Sequence, residues 1–368
     1  MRTRLYDDIR DKISKGQFPW LLKKAVQYAS IHLAFLAGRP LSGPILATLL
    51  TNYTCNYRCK MCDLPEKGEQ LRKRGLKELS TSELKDALRD FADLGVSGIG
   101  FTGGEPLLRD DIFELMKYTK KLGMIAHLNT NGSLLNMERA NKLLDCGTNS
   151  LNISLDGAKP ETHDKIRGHK GAFHEAVNAI TLVNQLRNKR QKPIKIKIVT
   201  VISEDNIDEI VDLISLSVKL GADYVDFIPE QNFKNPSISR DINSTNYSDS
   251  FFKSLDKVVE YLLKVKDVRV ENSAQHLKLF KRSFKGVKSP LSCYAGYNSY
   301  GLDCFGLIYP CMPWFNWNRS VGNVRDTNLK DFWYSKKYNL TRKAIAKCKD
   351  CYLNCQFELN LLFNIIKK

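Results

Sequence analysis

The chain has no apolar run long enough to cross a bilayer, no internal repeat and no long low-complexity tract. It is therefore not read as a multi-spanning membrane protein, a solenoid or a disordered polymer. Its first residues, MRTRLYDDIRDK, mix charges and lack the apolar centre of a cleavable export signal. The expectation is a cytoplasmic, reducing setting, where the ten cysteines serve as metal ligands or catalytic groups before they serve as disulfides. Acidic residues are also scarce: 40 Asp and Glu face 57 Lys and Arg, a net charge of +17. Nucleic acid, an anionic membrane surface and an acidic small ligand would each suit that charge. The charge is spread along the chain, with modest runs such as Arg187 to Arg190, and no RNA-binding module is recognisable, which argues against nucleic acid.

Both ends carry amphipathic patterns. Between Phe18 and Leu36, Trp20, Leu21, Ala25, Tyr28, Ala29 and Leu36 recur at roughly helical spacing with His32, while Lys23, Lys24 and Gln27 lie off that stripe. Near the other end, Leu361, Leu362, Phe363, Ile365 and Ile366 precede two lysines. Such segments lie in a membrane interface, giving peripheral contact at the inner membrane surface, or pack on the protein's own body or a partner subunit.

From Ile45 the chain alternates. Short apolar runs read as buried parallel strands over Ile45–Leu50, Gly98–Thr102, Ile125–Asn129, Leu151–Leu155, Ile194–Val201 and Tyr224–Ile228. Helical patterns separate them: one starts at the cap-like Ser80–Thr81–Ser82–Glu83 and stops at Gly95, and others run over Asp111–Leu122, Met137–Leu144, Phe173–Asn188 and Ile207–Leu220. Six strand–helix units imply a parallel sheet with right-handed crossovers, either three-quarters of a (β/α)8 barrel or an open doubly wound sheet. In both, ligands sit at the carboxyl ends of the strands. A Ser/Asn/Asp-rich surface loop is expected over Pro236–Ser250 and a helix over Tyr247–Lys266, after which the alternation ends. The boundaries read from this pattern are an amphipathic N-terminal extension (1–43), the α/β core (44–235), a connecting loop and helices (236–288), a cysteine-rich α+β segment (289–358) and an apolar–basic tail (359–368).

The loop after the first strand reads TCNYRCKMCDLP, with Cys55, Cys59 and Cys62 spaced C-x3-C-x2-C. A fourth cysteine and a histidine are both missing. Thiolates are the preferred ligands of iron–sulfur clusters, and three of them leave one iron of a 4Fe–4S cluster open, comparable to the open position of a catalytic zinc. On spacing alone, a zinc site completed by a distant histidine or carboxylate competes. Three further stretches follow the next strands: FTGGEPLLRDD with Gly103, Gly104 and Glu105, then LNTNG with Asn129 and Asn131, then NISLDGAKPETHDKIRG with Ser154, Asp156 and Arg167.

These four motifs in this order resemble the radical SAM superfamily, over about Pro44 to Pro229. The resemblance implies an α/β fold with a partial (β/α)6 TIM-like barrel. It also implies a 4Fe–4S cluster on Cys55, Cys59 and Cys62 whose open iron is chelated by S-adenosylmethionine, and reductive cleavage of that cofactor to a 5′-deoxyadenosyl radical, with an electron donor such as flavodoxin or ferredoxin. By the same resemblance, Gly103, Gly104 and Glu105 receive the methionyl ammonium group, Ser154 and Asp156 the ribose hydroxyls, Arg167 the methionyl carboxylate through its planar fork, and the backbone at Met61 the adenine. Asn129 is a further contact, with Asn131 and Asn206 weaker candidates.

Cys293, Cys304, Cys311, Cys348, Cys351 and Cys355 lie in the C-terminal third, with GLIYPC, GNVRD and CKDCYLNC around them. This resembles the SPASM or shorter twitch extension, which binds one or two auxiliary 4Fe–4S clusters. The full pattern ends C-x2-C-x5-C-x3-C, whereas this chain has three cysteines there, spaced x2 and x3. One auxiliary cluster on Cys293, Cys311, Cys348 and Cys351 is expected, with Cys304 or Cys355 as substitutes and a second, incompletely ligated cluster as the alternative. Cys146 reads as a small buried hydrophobe. By resemblance, such enzymes oxidise, dehydrogenate or couple a peptide, sugar or lipid-linked substrate. An RNA-modifying enzyme and a non-catalytic electron carrier are the other readings, the second disfavoured because a carrier needs no GGEP or SLDG element. No residue is assigned as acid or base; Asp226 and Glu230 lie near the end of the sixth strand, where structural carboxylates are equally expected.

Overall fold

Each predicted apolar run separates into two faces once it is paired. In the computed structural model, which describes residue 13 and residues 18–231, 247–316 and 319–364, strands β1 (Leu46–Leu50), β2 (Gly98–Thr102), β3 (Ile125–Thr130), β4 (Ser150–Ser154), β5 (Lys195–Ile202) and β6 (Tyr224–Pro229) pair in parallel, in sequence order. Most of the expected loop over Pro236–Ser250, the side chain of Trp20, and Ile365 and Ile366 lie outside the described residues. On one face Ile99, Phe101, Ala126, Leu128, Leu151, Ile153, Ile196, Ile198, Val225 and Phe227 join a single apolar core with the covering helices. Several of the alternate positions on β3 to β6 are polar and bond across strands. Ser150 Oγ lies 2.6 Å from His127 Nδ1, Asn152 Nδ2 donates to Asn129 Oδ1 at 2.8 Å, and Lys197 Nζ donates to Asp226 Oδ2 at 3.2 Å. A strand buried on both faces is usually apolar on both; here the inner face is a polar chamber wall.

The covering helices are α1 (Phe18–Ala37), α2 (Leu64–Lys73), α3 (Thr81–Asp93), α4 (Ile112–Lys121), α5 (Met137–Asp145), α6 (Pro160–Arg167), α7 (Ala172–Lys189), α8 (Ile210–Lys219) and α9 (Asp249–Lys264). Helix α3 starts as its sequence suggests: Ser80 Oγ accepts from Glu83 N–H, and Glu83 accepts from Ser80 N–H.

The sheet does not close. Beyond β6 it ends in β7 (Arg269–Val270). At the other limit β8 (Ser299–Asp303) pairs in parallel with β1 and is followed by antiparallel β9 (Leu307–Tyr309) and β10 (Gly322–Asn323). The cysteine-rich segment thus shares the barrel's sheet, in the order β10-β9-β8-β1-β2-β3-β4-β5-β6-β7. Short helices α10 (Ala274–Leu277), α11 (Phe280–Phe284), α12 (Met312–Asn316) and α13 (Leu329–Tyr334) lead to α14 (Lys336–Ile345) and α15 (Asn354–Leu361).

Helix α15 reads as neither amphipathic nor apolar, yet Asn354, Gln356, Phe357, Glu358, Leu359, Asn360 and Leu361 are all buried. Each of its buried polar side chains finds a partner elsewhere in the fold: Asn354 Nδ2 donates to Asp226 on β6, Gln356 accepts from Ser299 on β8 at 2.6 Å, and Glu358 accepts from Ser273 N–H at 2.8 Å. One helix therefore links the two limbs of the open sheet.

The stripe expected on α1 is only partly the one that packs. Gln27, read as off the stripe, is buried with Ile31 and Ala34, and its Nε2 donates to the carbonyls of Gly43, Pro44 and Gly95. Tyr28 stacks on Phe363 at 5.8 Å and Phe35 on Tyr294 at 4.0 Å. The two amphipathic ends thus pack against each other.

Candidate active site

The three cysteines lie in the loop between β1 and α2, at the carboxyl end of the first strand. The loop is tied down from several sides. Gly104 N–H donates to Asn52 O at 2.9 Å and Glu105 N–H to Thr54 O at 2.8 Å. Lys60 N–H donates to Ile166 O at the end of α6, 2.9 Å away. Tyr57 stacks on His169 at 4.4 Å, and its hydroxyl donates to Glu175. Tyr53, just ahead of the loop, donates to Asp303 at the end of β8 at 2.8 Å.

The glycines of the GGEP stretch belong to this packing. Gly103 has φ +148°, and a Cβ on Gly104 would lie 2.1 Å from Thr54 O and 2.5 Å from its carbonyl carbon. Their freedom lets the turn after β2 approach the backbone of the cysteine loop itself. Gly104→Ala is expected to cost about 1–3 kcal/mol of stability and to lower the iron retained after reconstitution, because the displaced backbone leads directly into Cys55; thermal unfolding and iron analysis on one preparation check this.

One cavity of about 200 Å³ opens here, lined by Cys55, Cys59, Cys62, Met61, Gly103, Gly104, Asn129, Ser154 and Arg167. Tyr57, Arg58, Pro65, Thr102, Thr130, Asn131 and Val201 complete its wall. Thr102, Asn129, Ser154 and Val201 come from the ends of four strands, where alternate side chains share a face; Thr102 and Val201 are lining residues that no motif had pointed to.

The carboxylates of Glu105 and Asp156 stand behind this wall, both fully buried. Glu105 accepts from Leu107 N–H (3.0 Å), Thr130 Oγ1 (2.7 Å) and Asn131 N–H (2.8 Å), so it braces the β2 and β3 ends. Burial pushes its carboxyl above the usual range against the pull of these donors. Asp156 accepts from Val201 N–H at 2.8 Å and pairs with Arg167 Nη2 at 2.6 Å. Burial likewise pushes Asp156 up, with Arg167 opposing. Arg167 Nη1 also lies 3.9 Å from Cys59 Sγ. Its Nε has no hydrogen-bond partner, leaving a donor for a bound anion. Asn206 bonds to the carbonyls of Asp156 and Val201 and lies outside the cavity lining.

In the C-terminal region Cys293 packs with Ala295 and Ile345, and Cys311, Cys348 and Trp314 pack against them. Cys351 feels the charges of Cys355, Cys293 and Cys348. Burial first, then the neighbouring Cys348, pushes the Cys293 thiol up to about 12. Cys304 is elsewhere, buried with Leu50, Tyr53, Leu71 and Phe305 beneath the first loop. Cys355 faces Asp226 and Lys197 on the inner barrel wall. It keeps accessible surface. Asp226 belongs to a buried charge cluster in which Lys197 Nζ also lies 2.6 Å from Glu271. Glu230 accepts from the Tyr247 hydroxyl at 3.1 Å. Cys146 is buried in the core and donates to Leu143 O.

The donor set fits iron–sulfur clusters: three thiols on one loop beside a cavity that ends in a half-unpaired arginine, and four more thiols gathered in a second place. Among the described residues no three His, Cys, Asp or Glu side chains are drawn together as around a single bound ion.

Comparison with known proteins agrees. Residues 49–217 match the radical SAM superfamily and residues 293–352 match SPASM, an iron–sulfur cluster-binding domain. The chain belongs to the radical SAM superfamily and carries a C-terminal SPASM domain. Its cofactors are accordingly a 4Fe–4S cluster with S-adenosylmethionine and auxiliary iron–sulfur. Among similar proteins, the AdoMet-dependent heme synthase of Oleidesulfovibrio alaskensis is 26% identical over 313 residues, 81% of this chain and 77% of that protein. The PqqA peptide cyclase of Rhizobium meliloti is 26% identical over 310 residues, 79% and 74% of the two chains. Streptococcus suis SuiB bound to S-adenosylmethionine shares the fold, with a TM-score of 0.64 at 17% identity over 94% of this chain and 82% of that one.

Proposed function

We propose that this protein is an oxidoreductase or maturase that removes hydrogen from a polar substrate of the peptide class, held inside the barrel between the two cysteine sets. Cys55, Cys59 and Cys62 would hold the first cluster, and Cys293, Cys311, Cys348 and Cys351 an auxiliary one. When bound, these groups with S-adenosylmethionine supply a 5′-deoxyadenosyl radical and one-electron redox capacity. The chain supplies the rest. Arg167, Ser154 and Asn129 offer donors and acceptors to the cofactor. Asn152, Lys197 and Asp226 present a hydrogen-bonding wall suited to amide and amine groups and unsuited to a lipid tail. Burial pushes the Asp226 carboxyl above its usual range, with Lys197 opposing and Glu271 adding to the rise, the direction that favours proton uptake by a carboxylate.

The observation carrying this reading is the position of Cys355. It stands four residues after Cys351 of the auxiliary set, at the start of α15, beside Asp226 and Lys197 on the wall that continues to Asn129 and Ser154 at the first cavity. The peptide class is supported by relatives named for peptide cyclisation. A tetrapyrrole substrate is the second reading, favoured because the heme-synthase likeness runs along most of the chain.

Anaerobic reconstitution tests the proposal. About 8 iron per chain are expected, from two 4Fe–4S clusters, and 5′-deoxyadenosine is expected on reduction with dithionite or a flavodoxin or ferredoxin system. Iron at about half that level, unchanged by Cys293→Ala, would remove the auxiliary cluster. Stimulation of cofactor cleavage by Fe-coproporphyrin III, with none by candidate peptides, would select the second reading.

A further inference from the structure

Helix α1 has two apolar faces, and its own fold uses one. Gln27, Ile31 and Ala34 turn inward. On the other side Phe18 (64% exposed), Leu22 (68%), Val26 (57%), Leu33 (55%) and Leu36 (70%) stand in solvent. At about 100° per residue these five fall within one sector narrower than a right angle, with Ala29 between them, along the whole helix. Scattered exposed leucines need no explanation, but a continuous stripe does.

The stripe continues past the helix. Leu41 is exposed just beyond it, and α14 lies alongside: Lys343 Cε is 3.7 Å from where a Cβ on Gly38 would stand. Helix α14 exposes Leu340 together with Lys336, Lys337 and Lys343, with Lys347 just after it. The charge carried by these two segments has one sign. No Asp or Glu occurs between positions 12 and 62, or between positions 332 and 349. Among the described residues no helix is long and apolar enough to cross a membrane.

We infer that this surface docks the protein onto an anionic lipid bilayer, with α1 lying in the interface, its Phe18–Leu36 stripe toward the acyl chains and the α14 lysines on the headgroups. An apolar ridge with cations beside it is what such a surface binds. A second copy of the chain is a poorer occupant, because a two-fold contact would set the same lysines against each other.

The test is flotation of the reconstituted full chain with vesicles of phosphatidylcholine containing about one-third phosphatidylglycerol, and with pure phosphatidylcholine. The protein is expected to float with the anionic vesicles only and to be released by about 0.5 M salt. Leu22→Glu with Leu33→Glu should lower the bound fraction about tenfold or more, and Lys336→Glu with Lys343→Glu should weaken binding to the anionic vesicles alone. Both pairs are exposed, so circular dichroism and the thermal midpoint should not move, which separates lost docking from lost folding. Three outcomes overturn the inference: no flotation with either vesicle, a Leu22→Glu/Leu33→Glu variant that floats like the parent, or a dimer by light scattering that this variant turns into monomers.

Discussion

Replacing Cys59 by alanine abolishes S-adenosylmethionine cleavage, lowers iron from about 8 to about 4 per chain and leaves the thermal midpoint nearly where it was. The expectation follows from what Cys59 touches. It is half-buried on a loop, lines the cavity, and its sulfur lies 3.9 Å from Arg167 Nη1. The loop is held by other groups: Tyr57 on His169 and Glu175, Lys60 on Ile166, and Thr54 on Glu105. Removing the sulfur therefore costs little packing, on the order of 1 kcal/mol or less. Cys304→Ala is the contrasting control. Its side chain is buried against Leu50, Tyr53, Leu71 and Phe305, so the cavity left behind should cost about 1–2 kcal/mol while iron and cofactor cleavage stay intact. The two cysteines thus give opposite signatures, measured by iron content, 5′-deoxyadenosine release and thermal unfolding. If Cys59→Ala kept its full iron complement, the assignment of the first loop would fail.

What the sequence made legible and what it hid divide along physical lines. Strand limits were readable because the outward positions, such as Ile99, Phe101, Leu151 and Ile153, form an apolar rhythm that only a buried sheet satisfies. The cysteine loop was readable because thiol spacing is local. The inner wall was not, because Asn152, Lys197 and Asp226 are satisfied by partners on other strands, and each looks like an ordinary surface residue on its own. The pairing of β8 with β1 joins Leu46 to Ser299 across most of the chain, and no local pattern announces it. Helix α15 escaped for the opposite reason. All of its residues but Cys355 are buried, the polar ones included, so Asn354, Gln356 and Glu358 give no amphipathic signal. On α1 both apolar faces were present in the sequence, but which one turns inward depends on Tyr294, Tyr297 and Phe363, more than 250 residues away. Glu105 and Asp156 were drawn to the site by their motifs, yet side-chain direction sets them behind the wall rather than in it.

Arg167→Met is expected to be severe in stability as well as in catalysis, and the two losses can be pulled apart. Asp156 is fully buried, and its partners are the Val201 N–H and the Arg167 guanidinium. Methionine preserves much of the side-chain volume but strands the carboxylate, a change that typically costs about 3–5 kcal/mol. Asp156 is already pushed above its usual range by burial, and without the guanidinium it is pushed further. A carboxyl whose folded pKa lies above its unfolded value favours the folded state at low pH and loses that advantage as pH rises through the folded value. The stability deficit of Arg167→Met should therefore be smaller near pH 5 than near pH 8, as read by denaturant unfolding at both. Adding Asp156→Asn removes the stranded charge and should restore most of the lost stability. It should not restore cofactor cleavage, because the donor fork that borders the cavity beside Cys59 is still missing. Full recovery of both in the double variant would reduce Arg167 to a structural ion pair. Recovery of stability alone leaves it as the group that meets the carboxylate of S-adenosylmethionine.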